Sequence, residues 1–333
     1  MPTTIAVLGD GAWGTAIAIL LSRKADHRVR LWSARPENST QLAAKRENCK
    51  YLPGVPLPAQ LELTSDAGAA IRDAELWVTA IPTVHLRTTL DRFRELCTPS
   101  TTVVSLTKGI EIATFHRPST IISEILGTNR VLALSGPSHA EEVSRDMPTS
   151  VVVAGADSAL TTWVQRCFSA DRFRVYTNPD LIGVELAGAL KNVMGVAAGI
   201  CDGLGFGDNA KSALLTRALV EMTRFGIAMG AEHDTFQGLA GVGDLITTCF
   251  SPHGRNRRVG ERLGRGETLE AILASSSAVA EGVTTAKSVY ERIGSLGLLM
   301  PIATSVYRVL YEGLSPKEGV IELLARAPGS ERD

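Results

Sequence analysis

Residues 5–24, IAVLGDGAWGTAIAILLSRK, place an apolar run, three glycines and a second apolar run in immediate succession. Ile5 to Leu8 reads as a buried strand, and the stretch from Trp13 onward as a helix that meets no charge until Arg23. Between them Gly9, Gly11 and Gly14 stand at G-x-G-x-x-G spacing. In that context each glycine has a mechanical use: Gly9 for a tight turn, Gly11 for approach of backbone to a pyrophosphate, Gly14 for close packing of helix on strand. The helix amino terminus then faces the phosphates, where unpaired N–H groups and the helix dipole favour an anion. The segment predicts a dinucleotide site. Asp10 inside the loop would repel a pyrophosphate by about 1 kcal/mol at ~4 Å in water, and by more when desolvated, so its side chain is expected to point away.

Working outward, short β-branched runs alternate with helical patterns: VRLW (29–32), LWVTAI (76–81), TVVSL (102–106), VLALS (131–135) and SVVVAG (150–155). That alternation predicts an α/β fold with a doubly wound, Rossmann-type parallel sheet. The second strand ends in Ser33, Ala34 and Arg35. NAD-selective sites place an acidic residue there for the ribose 2′-hydroxyl, whereas an arginine accommodates a 2′-phosphate, so NADP(H) should be accepted unless Arg35 is only a solvated surface residue. Later strands end in Ile81-Pro82, Thr107-Lys108-Gly109 and Gly136-Pro137-Ser138. Ligands in open α/β sheets lie beyond the carboxyl ends of strands, so these loops should open on one cleft, with Lys108 either in it or decorating a loop.

Beyond residue 177 strand signals nearly vanish. Asn178-Pro179 reads as an N-cap and first helical position, dividing the chain into a dinucleotide-binding region, 1–177, and an all-helical substrate-binding region, 178–333. Later helices are signalled at Thr268, Met300-Pro301 and Ser315-Pro316. The first helix of the second region contains ELAGALKNVMGVAAG (185–199), where Lys191 and Asn192 interrupt an otherwise apolar sequence. Gly188, Asn192, Gly195 and Gly199, extended by Glu185, fall on one helical stripe. Such a stripe packs a second helix or admits a ligand; its place at the junction of two domains favours the ligand. In GVGDLITTCFSPHGRNRRVG (241–260), Asp244 and Thr248 share a face if helical, and Arg255, Arg257 and Arg258 form a local basic cluster. The planar guanidinium fork suits a phosphate-bearing small molecule.

Composition narrows the classes. The 333 residues carry a net charge of −1 with 44% hydrophobic residues, which fits a soluble globular protein of two domains and excludes a general polyanion binder. The basic cluster is short, is followed by Glu261 and Glu267, and lacks interleaved aromatics, so no nucleic-acid partner is expected. The apolar region at 181–201 is interrupted by Glu185 and Lys191, against membrane insertion. Five scattered cysteines without a CxxC suit reduced thiols and a cytoplasmic location. Six histidines show no ligand spacing, and no metal site is expected.

The blocks GDGAWGTAIA, SLTKGIE, LSGPSHAEEV, RVYTNPDLIGVELAGALKNV, AAGICDGLGFGDNAKSALLTRALVE, GLAGVGDLITTCFSPHGRNRR and VAEGVTTA, in that order over about residues 5–325, resemble the bacterial NAD(P)-dependent glycerol-3-phosphate dehydrogenases. The resemblance implies reversible hydride transfer between NAD(P)H and dihydroxyacetone phosphate, giving sn-glycerol 3-phosphate for phospholipid synthesis, in a cytoplasmic homodimer. It implies Lys191 as the proton donor and acceptor and Lys108 as a second active-site lysine. Ala12, Trp13, Arg35, Lys108, Ala140, Val279 and Glu281 fall on coenzyme-contacting positions, and Arg255 on one shared with substrate. Substrate positions fall on Lys108, Gly136, Ser138, Asp244, Gly254, Arg255 and Asn256; from the residues themselves Lys191, Asn192 and Thr248 join them. The family usually has serine where Gly254 stands, so a hydroxyl contact is lost while a backbone contact could remain. Two other readings share the glycine loop: a β-hydroxyacid or imine dehydrogenase, and a non-catalytic dinucleotide sensor. Burial and Lys108 would lower the pKa of Lys191 and Asp244 would raise it, and the sequence leaves the sign of the sum open.

Overall fold

Strand β1 (Thr3–Leu8) is buried on both faces: Ile5 and Val7 join one apolar cluster, Ala6 and Leu8 another. A strand covered twice belongs in the middle of a sheet flanked by helices, and the computed structural model, which describes residues 2–275, 279–327 and 330, places it there. The other strands are β2 (His27–Trp32), β3 (Glu47–Asn48), β4 (Leu52–Pro56), β5 (Glu62–Thr64), β6 (Leu76–Thr79), β7 (Thr102–Ser105), β8 (Val131–Ser135), β9 (Thr149–Ala154) and β10 (Phe173–Asn178). Eight of them form one sheet in the order β10-β9-β8-β7-β6-β1-β2-β5, and β3 and β4 form a separate antiparallel pair. The helices up to β10 are α1 (Ala12–Ser22), α2 (Pro36–Lys45), α3 (Ala67–Ile71), α4 (Thr83–Leu90), α5 (Pro118–Leu126), α6 (Ala140–Ser144) and α7 (Ser158–Phe168).

All six expected strands are present, but the sheet is not wholly parallel. β8 and β9 run antiparallel, because only the short α6 and its flanking turns connect them, too little chain for a crossover. β5 and β10 escaped the sequence pattern. Both are edge strands; β10 alternates buried Phe173 and Val175 with outward Arg174 and Tyr176 and so lacks a continuous apolar run.

From β10 onward the described residues are helical: α8 (Leu181–Gly203), α9 (Asp208–Ala228), α10 (His233–Phe236), a π-helical turn at Leu239–Gly243, α11 (Asp244–Phe250), α12 (Arg255–Gly264), α13 (Leu269–Ala274), α14 (Glu281–Leu296), α15 (Pro301–Tyr311) and α16 (Pro316–Leu324). The expected start of α8 is corrected by two residues. Asn178 completes β10 and its side chain receives the Asp180 N–H, while Asp180 is the N-cap and accepts from Gly183 N at 2.8 Å. A carboxylate two residues closer outcompetes the amide for the helix amino terminus. The other starts stand where expected, with Thr268 capping α13, Pro301 opening α15, and a Ser315–Glu318 capping box opening α16.

α8 is long and apolar enough to cross a bilayer, yet it is the buried axis of the helical region. Its glycine stripe is filled by protein. A Cβ on Gly199 would stand 1.9 Å from the Arg257 carbonyl oxygen, and one on Gly260 would stand 2.0 Å from that of Val196. Glycines on both helices let α8 and α12 touch backbone to backbone, so the packing reading of the stripe holds over most of its length. Glu185, at the head of the stripe, lies buried against the other region: it accepts from Ser119 N at 2.7 Å and Ser119 Oγ at 2.6 Å and pairs with Arg117. Burial pushes its carboxyl above the usual range, and these partners at the start of α5 offset that cost. The contact pins α8, and therefore Lys191, to the sheet region.

Gly199→Ala should destabilise the protein by about 1–3 kcal/mol, because a methyl group there forces two backbones apart. Gly294→Ala, whose Cβ would enter open space within α14, should be neutral or slightly stabilising. Urea midpoints of the two variants measured side by side test the seam.

Candidate active site

The three loop glycines differ in what surrounds them. Gly9 has φ +119°, a conformation L side chains rarely adopt, and a Cβ on Gly14 would lie 2.0 Å from the Gly9 carbonyl oxygen. A Cβ on Gly11 would meet nothing within 4 Å. Two glycines thus build the turn, and the third leaves a gap at the uncapped amino terminus of α1. Asp10 turns away as expected and accepts from Asn38 Nδ2 at 3.0 Å. Ala12 and Trp13 form the first turn of α1, where the indole N–H is buried without a partner. Arg35 stands exposed at the N-cap of α2, beyond the end of β2. Glu281, at the start of α14, accepts from Thr83 N at 2.8 Å through Oε1, while its Oε2 is buried and unpartnered. Orphaned polar atoms at buried positions, next to a loop with room for a pyrophosphate, fit a dinucleotide.

The expected substrate residues converge beyond β7 and β8. Lys108 Nζ donates to the Gly136 carbonyl at 2.8 Å, to Ser138 Oγ at 3.2 Å and to Asp244 Oδ2 at 2.8 Å. Gly188 provides the room, since a Cβ there would lie 3.5 Å from Lys108 Cγ and 2.8 Å from Ser135 Oγ. Lys191 Nζ reaches across from α8, donating to Thr248 Oγ1 at 2.7 Å and standing 3.3 Å from Asp244 Oδ1. One carboxylate therefore serves two ammonium groups. The π-helical turn before α11 aims Asp244 inward, and Thr248 follows one turn later on the same face, as its spacing requires.

Asn192 fixes the frame. Its Nδ2 donates to the Lys108 carbonyl at 2.8 Å, and its Oδ1 accepts from Asn256 Nδ2 at 2.8 Å. Asn256 Oδ1 in turn accepts from Gly282 N at 2.9 Å. This chain of amides ties the β7 loop, α8, α12 and α14 together at the cleft.

The electrostatics settle the sign that the sequence left open. Burial lowers the Lys191 pKa to about 8, with Lys108 and Arg255 adding to the effect and Asp244 opposing it. Burial alone would push the Asp244 carboxyl up, but the two ammonium groups outweigh it and hold the carboxyl below the usual range. Lys191 is thus an amine that gives or takes a proton near neutral pH, where an ordinary lysine with a pKa near 10.4 would not.

Residues 4–161 match the family described as NAD-dependent glycerol-3-phosphate dehydrogenase N-terminus, and residues 180–321 match its C-terminus. The chain belongs to this family. It is 47% identical over 330 residues to glycerol-3-phosphate dehydrogenase [NAD(P)+] of Chlorobium limicola, covering 98% of this chain and 99% of the relative. It is 49% identical to the enzyme of that name from Geobacillus thermodenitrificans, covering 98% and 96% of the two chains. The crystal structure of glycerol-3-phosphate dehydrogenase from Coxiella burnetii superposes with a TM-score of 0.93 at 36% identity, covering 98% and 99%.

Against the glycerol-3-phosphate dehydrogenase pattern, Gly254 has a local cause. It is the N-cap of α12, and a Cβ there would come within 2.7 Å of the Thr248 carbonyl oxygen, so serine requires the loop to open. With no side-chain oxygen, Gly254 leaves the first N–H groups of α12 without a side-chain cap, and its own N–H is donated to Ser251 O at 3.2 Å. Arg255 Nη1 donates to the Val279 carbonyl at 3.3 Å, joining the substrate loop to the coenzyme side near Glu281. The basic cluster does not act as one unit. Arg257 is tied to Asp202, Glu261 and Ser251 O and braces α12 against α8. Ala140 opens α6, directly after the loop that supplies Gly136 and Ser138. His139, which lacks metal-ligand spacing, also stands by this group: burial lowers its pKa and the Lys191 charge lowers it further. Its position between Ser138 and Ala140 was its signal in the sequence.

Removing the Asp244 charge should move the Lys191 titration further down. We expect the pH–rate profile of Asp244→Asn to shift its limb near pH 8 to lower pH, measured as kcat/KM for ketone reduction across pH 6–10.

Proposed function

We propose that the protein reversibly reduces dihydroxyacetone phosphate to sn-glycerol 3-phosphate with NADH or NADPH, supplying a glycerol backbone for phospholipid synthesis. The observation that carries this reading is the single carboxylate, Asp244, shared at 3.3 and 2.8 Å by Lys191 and Lys108 at the carboxyl ends of the strands. Two cations on one anion leave a net positive charge in a buried place, suited to an oxygen that becomes negative during the reaction.

When bound, the nicotinamide coenzyme supplies the hydride. The Lys191 ammonium donates a hydrogen bond to the C2 carbonyl oxygen, stabilises the oxyanion as it forms, and delivers the proton. Lys108 shares the electrostatic work and holds the Gly136–Ser138 loop. Asp244 keeps Lys191 protonated at neutral pH, and Asn192 fixes the position of Lys108 through its backbone. Arg255 and the first-turn N–H groups of α12, including that of Asn256, receive the substrate phosphate. Gly9, Gly11, Gly14, Ala12, Trp13, Arg35, Ala140, Val279 and Glu281 hold the coenzyme. Arg35 without an acid beside it at the end of β2 supports acceptance of NADPH together with NADH. The reading places the enzyme in the cytoplasm as a homodimer, with no metal in the reaction.

Initial rates with dihydroxyacetone phosphate and either coenzyme test the reading, and a panel of β-hydroxyacids and imines separates it from related dehydrogenases. Lys191→Ala should lose about 10²- to 10⁴-fold in turnover while coenzyme binding, followed by fluorescence, persists. Arg255→Ala should weaken kcat/KM for dihydroxyacetone phosphate about 10- to 100-fold, with a far smaller effect on dihydroxyacetone, which lacks the phosphate.

A further inference from the structure

His139 precedes α6 as its N-cap, between Ser138, which meets Lys108, and Ala140. Its Nε2 is buried and makes no hydrogen bond, a state that costs free energy in a finished site. The ring centroid lies 5.7 Å from that of His253, which is exposed in the loop just ahead of Gly254 and Arg255. The two rings are tilted at 59° and in contact, one from the loop after β8 and one from the loop between α11 and α12. On the inner side His139 is close to Lys191 and Asp244; Glu141 and Glu142 of α6 are its other charged neighbours. Burial and Lys191 lower its pKa, and the three carboxylates only partly oppose this, so the ring is neutral at pH 7.

We infer that His139 is a substrate-contacting residue whose Nε2–H donates to an oxygen of the substrate phosphate, beside the loop that carries Arg255. This rests on the function proposed above. His139 follows Ser138, which meets Lys108, and its ring touches His253 in the loop that leads into α12, so it links the loop of the lysine site to the loop of Arg255. A phosphate only accepts hydrogen bonds, and a neutral imidazole can place its single N–H on the nitrogen that faces it. The interaction adds a donor without adding a third full charge beside Lys108 and Lys191. It also gives the buried Nε2 the hydrogen-bond partner that the protein itself does not supply.

Three variants read the inference. His139→Ala should raise KM for dihydroxyacetone phosphate about 10-fold, with kcat within about threefold of wild type. Its kcat/KM for dihydroxyacetone and its KM for NADPH should not change. His139→Gln, which retains an N–H donor at similar reach, should recover most of the loss, and His139→Leu, similar in size without a donor, should not. Binding of inorganic phosphate, measured by calorimetry and as competitive inhibition, should weaken by the same factor in His139→Ala. Equal losses with and without the phosphate, a shift in the NADPH KM instead, or unchanged phosphate binding would each overturn the assignment. Wild-type protein inactive on dihydroxyacetone phosphate would refute the proposed function, whereas the calorimetric comparison would still decide the phosphate contact.

Discussion

The carboxylate of Asp244 is the point on which the site depends. Two lysines approach it from different parts of the fold, Lys108 from the loop after β7 and Lys191 from the middle of α8, and both are largely buried. Without a shared counter-ion, two ammonium groups so placed would repel each other and lose their hydration with nothing in return. With it, both fit, and the balance of burial against attraction leaves Lys191 near pH 8 rather than above 10. The same arrangement that makes the buried charges tolerable brings the pKa of one of them down to about 8, as the proposed proton transfer requires. Stability and chemistry are here two consequences of one set of distances.

That set has to be held closely, and the fold does so with backbone contacts. Glycines on α8 and α12 bring the two helices together until main chain touches main chain, which leaves no side chains that could repack and shift Lys191 relative to Asn256. Glu185, one turn and a half before Lys191, fastens α8 to the start of α5 with three hydrogen bonds from Ser119 and Arg117. The amide chain through Asn192 and Asn256 then links the β7 loop to α12 and α14. Loops that would otherwise move independently share a rigid frame, while Trp13, His139 and Glu281 keep polar atoms unpartnered where ligands are proposed to bind.

The glycine at position 254 shows how a family pattern is altered by packing. Its place against the Thr248 carbonyl makes the turn into α12 tighter than a serine permits, and its own N–H is already engaged. A lost side-chain hydroxyl is thereby accompanied by an uncapped helix amino terminus, whose free N–H groups offer donors to an anion from the backbone. In the proposed site the phosphate contact then falls to Arg255 and the backbone of the helix.

Much of this was legible in residues alone. The strand–glycine–helix succession at 5–24 determines the nucleotide-binding half because its periodicity and turn requirements are local, and the same holds for the six apolar strands and the helix starts at Thr268, Pro301 and Ser315. Lys191 and Asn192 announced themselves as polar residues in an apolar helix, and Asp244 and Thr248 by their spacing. The sequence could not reveal that β8 and β9 run antiparallel, that α12 fills most of the glycine stripe, that Arg257 braces a helix while Arg255 reaches the Val279 carbonyl, or that Glu185 is a fastening between regions. Each of these depends on which distant segments meet. The direction of the Lys191 shift belongs with them, for burial and ion pairing oppose each other there and only distances between residues 108, 191 and 244 decide which prevails.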